Sequence, residues 1–224
     1  VYHTPAERFR LLPPGIPADR RRPEHPEPVR EAKRREFGIS ADEILLIQVG
    51  SGFRTKGVDR SLRAVAALPE ELKKRTRLLV AGRDSGNTCP KLAASLGISN
   101  RVIFAGGRDD VGALLLAADL LIHPARNEAT GTVLIEALAA GTPVMATANC
   151  GFANYVAESG SIVIPADPFD QETFDRELAA ALSTPGRLEQ LKQLAIDYGA
   201  KADFYRRAEA AVDYIEEAAH AGNR

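Results

Sequence analysis

Residues 120–136 read Leu-Leu-Ile-His-Pro-Ala-Arg-Asn-Glu-Ala-Thr-Gly-Thr-Val-Leu-Ile-Glu, and within them the apolar period changes once. Residues 120–123 form a short continuous apolar run bounded by Pro124, which reads as a strand buried on both faces. A polar loop follows, and Gly131-Thr132 open a helix predicted to run from 132 to 140. Val133, Leu134, Ile135, Ala137 and Leu138 make that helix apolar on most sides, with Glu136 among them. A strand handing over to a helix in this way is the repeating unit of a parallel α/β sheet.

The unit recurs outward in both directions. Upstream, 44–49, 77–81 and 102–105 are predicted strands, followed in turn by helical stretches at 58–68, 91–96 and 111–118. Downstream, 143–147 and 161–164 supply two more strands, and helices at 171–182, 186–198 and 203–219 close the chain. The alternation predicts one doubly wound, Rossmann-like α/β domain over 41–200, a parallel sheet with helices on both faces. Residues 1–40 read as a connector, because Pro13, Pro14, Gly15 and Pro17 cannot sit inside regular structure and Pro23, Pro26 and Pro28 follow. One short charged helix at 29–37 interrupts it and stops at Gly38. The chain opens on Val1 rather than Met, so its natural start is expected upstream.

Composition narrows the class of function. The 224 residues are 45% hydrophobic and 26% charged with a formal net charge of -1, ordinary for a soluble globular protein. Near-neutrality argues against an extended nucleic-acid footprint, so no nucleic-acid partner is expected. No stretch approaches the roughly 18 to 20 apolar residues of a membrane span. Cys89 and Cys150 form no Cys-x-x-Cys pair and no Cys/His ligand spacing, which fits a reducing, cytosolic setting without disulfides. No metal-ligand spacing and no nucleophile elbow is present, and no metal is expected.

In doubly wound sheets ligands gather outside the carboxyl ends of the strands, so those loops hold the candidate residues. The first, Gly50-Ser51-Gly52-Phe53-Arg54-Thr55-Lys56-Gly57, leaves a strand and opens a helix. Its glycines allow close approach to a phosphate, and the helix N-terminus offers free N–H groups. Thr55 stands where a dinucleotide fingerprint needs its third glycine, and Lys56 precedes Gly57 where a P-loop has the reverse order. A dehydrogenase is therefore the least favoured class. What remains is a glycine-rich turn with two cations, either an anion site or a turn with solvated charges.

The loop after residue 123 is richer. Glu128 precedes the helix, Thr130, Gly131, Thr132 and Val133 form its N-terminus, and Glu136 lies more than a turn inside. A carboxylate among apolar residues is costly to bury without hydrogen-bond donors. An elongated ligand with hydroxyls on either side of a diphosphate would meet all three features in order. The alternative is a solvent-seeking Glu136 with a loop Glu128 that complements the helix dipole. Loops 81–84 and 106–110, with Arg108, could line a base pocket, and His123 reads as a core or supporting residue.

Glu128 and Glu136, separated by seven residues and followed by Ala-Leu-Ala-Ala-Gly-Thr-Pro-Val at 137–144, resemble the EX7E signature of family 4 retaining glycosyltransferases of the GT-B fold. Residues 12–16 (LPPGI) resemble the segment that opens the C-terminal domain of that family, and 49–57 its phosphate-binding lysine loop. Residues 53–61 (FRTKGVDRS), 107–111, 117–124 (AADLLIHP) and 150–152 are similar to the lipopolysaccharide core glucosyltransferases of the family.

The resemblance implies the C-terminal half of such an enzyme: a UDP-sugar-binding domain, with a helix at 201–224 packing toward an absent N-terminal domain. Lys56 would neutralise the donor diphosphate and Glu128 would hold sugar hydroxyls, the two residues expected to be catalytic. Glu136 would take the ribose, Arg108 would lie near the uracil, and Gly50, Ser51, Gly52, Thr130, Gly131, Thr132 and Val133 would surround the phosphates. Ser51 stands where many members carry arginine, with Arg54 as the expected substitute, and Asn154 where near relatives have histidine. The implied reaction is hexose transfer, glucose being expected, from a UDP-sugar to the inner-core heptose of lipopolysaccharide. The acceptor and any peripheral contact with the cytoplasmic face of the inner membrane would fall to the missing half, and the chain alone would turn over little. A nucleotide-sugar epimerase, a sugar-phosphate synthase and a non-catalytic nucleotide-binding module are the alternatives.

Overall fold

Apolar strands without polar alternation demand cover on both faces, and the chain supplies it. The computed structural model describes residues 5, 9–10, 12–84 and 86–221. Strands β1 (Ile44–Val49), β2 (Thr76–Ala81), β3 (Val102–Gly106), β4 (Leu120–His123), β5 (Val144–Thr147) and β6 (Ile162–Ile164) form one sheet. All pairs are parallel, in the order β3-β2-β1-β4-β5-β6. The helices are α1 (Glu27–Glu36), α2 (Val58–Ala67), α3 (Glu70–Arg75), α4 (Thr88–Ser95), α5 (Val111–Ala117), α6 (Thr132–Ala140), α7 (Ala153–Glu158), α8 (Gln171–Ser183), α9 (Arg187–Lys201) and α10 (Arg207–Ala221).

Alternate strand residues feed two cores. Leu45, Ile47, Leu79 and Leu121 pack with α5, α6, α7 and Ala195 of α9. Leu46, Leu78, Val80, Ile122 and Met145 pack with α2, α4 and α8 on the other face. The chain winds outward from β1 to β3, then returns to lay β4 beside β1. That return opens a crevice at the carboxyl ends of β1 and β4, where a doubly wound sheet binds its ligand.

The segment expected to be a connector is seated on this domain. Asp119, just before β4, receives the Leu45 backbone N–H at 2.7 Å, Arg30 at 2.5 Å and Arg34 at 3.2 Å. Arg30 also donates to the carbonyls of Ala117 at 2.7 Å and Ala118 at 3.0 Å, satisfying acceptors that the end of α5 leaves open. Further upstream, Ile16 is buried and its N–H reaches Phe204 O at 2.9 Å. The predicted connector and terminal helix extend in part outside the described residues.

Two helices, α3 and α7, fall in stretches for which no element was predicted, and α4 begins three residues earlier than predicted. α3 is Glu-Glu-Leu-Lys-Lys-Arg, with no apolar period to find; acids in its first turn and bases in its last complement the helix dipole. No helix among the described residues is long and apolar enough to cross a membrane.

Candidate functional site

The two loops at the crevice interlock through their backbones. Gly57 caps α2 at φ 70, and a Cβ there would lie 2.0 Å from Pro124 O, so only glycine admits this contact. Arg126 N–H donates to Thr55 O at 2.8 Å. Beneath the loop, the buried Gln48 donates from Nε2 to Lys56 O at 2.7 Å. Lys56 is thereby aimed across the crevice, where its Nζ donates to Glu128 Oε2.

Glu128 is met from below as well. His123, at the end of β4 and wholly buried, places Nε2 3.0 Å from the same Oε2. The His123 hydrogen bond and the Lys56 ammonium outweigh burial and hold the Glu128 carboxyl at about 2, so the group is ionised near neutrality. Behind it, Glu128 bridges in parallel to Cys150, whose buried thiol is pushed up to about 11 by desolvation.

Gly131 opens α6 at φ 80 with no side chain capping the helix. The first N–H groups of a helix have no partner within it, and here they face the loop that carries Glu128. Thr130 and Thr132 are exposed beside them, and Val133 is half-buried. Further along α6, Glu136 is only 16% exposed, with its Oε1 3.6 Å from Arg20 Nε. Burial raises its carboxyl above the ordinary range and Arg20 partly offsets this.

The remaining expected residues divide. Gly50 and Ser51 line a hollow of about 290 Å³ with Gly82, Arg83 and Arg108. The Arg108 guanidinium is already committed, donating to Asp110 at 2.8 and 2.7 Å and to Glu36 at 2.8 Å. It therefore forms one wall of the hollow as a fixed strut. Arg54 lines a second cavity of about 500 Å³ with Asp59, Arg63 and Asp84. Gly52 is exposed at the loop tip, and Asn154 is exposed on α7. Among the described residues no three His, Cys, Asp or Glu side chains gather as metal ligands.

Sequence reasoning missed Arg20, Gln48 and the contact His123 makes. Arg20 meets Glu136 from a proline-rich segment with no periodic signal. Gln48 and His123 were detectable only as polar residues closing apolar strands.

The glycosyl transferases group 1 family matches residues 29–198. The chain is 44% identical over 214 residues to lipopolysaccharide glucosyltransferase WaaG of Escherichia coli K12, covering 96% of this chain and 57% of that protein. It is 34% identical over 212 residues to a D-inositol 3-phosphate glycosyltransferase of Thermobispora bispora, covering 90% and 48% respectively. The chain thus spans about half the length of these curated relatives. A crystal structure of WaaG, a glycosyltransferase involved in lipopolysaccharide biosynthesis, superposes with TM-score 0.89 at 45% identity, covering 96% of this chain and 58% of that one. Anabaena Alr3699/HepE in complex with UDP and glucose shares the fold, with TM-score 0.81 at 18% identity over 96% and 59%.

Proposed function

The chain belongs to the glycosyl transferases group 1 family, and from that premise we propose that it is the donor-binding domain of a retaining hexosyltransferase. The donor is a UDP-sugar, with glucose the favoured hexose, and the acceptor is the inner-core heptose of lipopolysaccharide. The observation that carries this reading is the Lys56–Glu128 pair facing the uncapped N-terminus of α6.

Chemically, the leaving diphosphate must be stabilised while positive charge grows on the sugar ring. Lys56 has three N–H donors and Glu128 occupies one, leaving two for phosphate oxygens. The α6 N-terminus adds backbone donors and the positive end of its dipole. Glu128, ionised, accepts from sugar hydroxyls and opposes the developing ring charge. Glu136 accepts from the ribose hydroxyls, which supply the donors its burial demands. With a cation and a helix end at the diphosphate, the reaction is proposed to need no metal.

The heptose acceptor would be bound by a further domain, with α10 packing toward it. Val212 and Ile215 on α10 are 52% and 69% exposed, apolar surface that such a domain would cover. The enzyme would act in the cytoplasm, at the cytoplasmic face of the inner membrane.

Calorimetry with UDP and UDP-glucose tests the reading. The wild-type chain is expected to bind both, and Lys56→Ala to weaken UDP by about tenfold to a hundredfold, the loss of one charge-assisted hydrogen bond. Absence of UDP binding to the wild-type chain would sink the proposal.

A further inference from the structure

The Glu128 carboxylate is loaded asymmetrically. Lys56 Nζ and His123 Nε2 both converge on Oε2, and among the described residues no hydrogen bond is formed at Oε1. His123 is wholly buried, and its Nδ1 has no hydrogen-bond partner among the described residues. An ionised carboxylate can only accept, so the proton of the His123–Glu128 bond sits on Nε2. The strand end thus turns an N–H toward the carboxylate and Nδ1 toward the core.

We propose that His123 is a positioning residue for sugar binding: by saturating Oε2 together with Lys56, it turns Oε1 of Glu128 outward as the atom that accepts from the donor-sugar hydroxyls. This rests on the reading of Glu128 as the sugar-side carboxylate. His123 touches neither sugar nor diphosphate. It sets which oxygen is offered and at what angle, because β4 holds the ring rigidly beneath the loop. Lys56 can swing toward a phosphate when the donor arrives; the imidazole, packed on all sides, keeps Glu128 in place while it does so.

Sugar and nucleotide depend differently on His123. UDP makes no use of Glu128, so its affinity is expected to be unchanged within about twofold in His123→Leu, whereas UDP-glucose is expected to bind about tenfold more weakly. His123→Gln, which keeps an N–H donor at similar reach, is expected to recover most of the loss. Calorimetry of the two ligands against wild type, His123→Leu and His123→Gln reads this directly. A wild-type chain that binds neither ligand overturns the site reading itself. Wild-type binding with an unchanged UDP-glucose to UDP ratio in His123→Leu overturns only the role of His123.

Should His123→Leu not fold, the wild-type protein still decides. Long-range ¹H–¹⁵N correlation of the imidazole is expected to report a proton on Nε2. A proton on Nδ1 with a bare Nε2 would overturn the proposal.

Discussion

Glu128 and Glu136 sit eight positions apart, both largely withdrawn from water, and their titrations are displaced in opposite directions. Glu128 is held at about 2 by His123 and Lys56, below the ordinary 4.5. A carboxyl lowered on folding contributes stability that is present above its unfolded value and lost as pH falls through its folded value. Denaturant midpoints of Glu128→Gln are therefore expected to decline less than wild type between pH 4.5 and pH 2. Glu136 is raised by burial, so its ionised form opposes folding and the sign reverses. Glu136→Gln is expected to melt at a higher temperature than wild type at pH 7 while binding UDP more weakly. A variant less stable and equally competent would contradict the assignment of Glu136 to the ligand. Glu136 was legible in the sequence because a carboxylate in an apolar run is anomalous on its face, whereas Lys56 and Glu128 were legible from loops that follow strands and open helices. Arg20, which answers Glu136 across the connector, carries no such anomaly and becomes visible only in three dimensions.

At the scale of elements, the six strands were legible because their cores are continuous apolar runs, and their limits differ from expectation by at most one residue. α3 and α7 were not, since six-residue helices show less than two turns of period. Residues 1–40 were read by their prolines as a connector, and Arg30 and Arg34 of α1 within it pair with Asp119. Removing one partner of a partly buried ion network leaves charges uncompensated. Asp119→Ala removes the counter-charge of two guanidinium groups and the acceptor of the Leu45 N–H, and is expected to destabilise the protein by about 3 kcal/mol in urea unfolding. A change under roughly 0.5 kcal/mol, typical of surface sites, would show that α1 is held by its apolar contacts alone.

For the whole molecule, the doubly wound class followed from alternation, but the strand order did not, because pairing partners lie far apart in sequence. β1 joins β4, and no local pattern announces that choice. Nor does local pattern say where the domain's own core ends. α10 lies beyond Phe204, the last large side chain fully buried, and carries the exposed Val212 and Ile215. Ending the chain after Arg206 is therefore expected to leave UDP affinity within about twofold and to raise solubility. A large drop in affinity would place α10 within the donor site's support.

Lys56 follows the first strand and Glu128 the fourth, so the site is divided between the two windings of the sheet. The strands of the first winding, β1 to β3, end at Gly106, yet that winding holds only one half of the charge pair. Sugar-nucleotide capture is thus a coincidence signal, given only when both windings have met along their shared seam. In a chain cut within 107–110, each piece would be mute, and recovery of the ligand would count reassembled sheets.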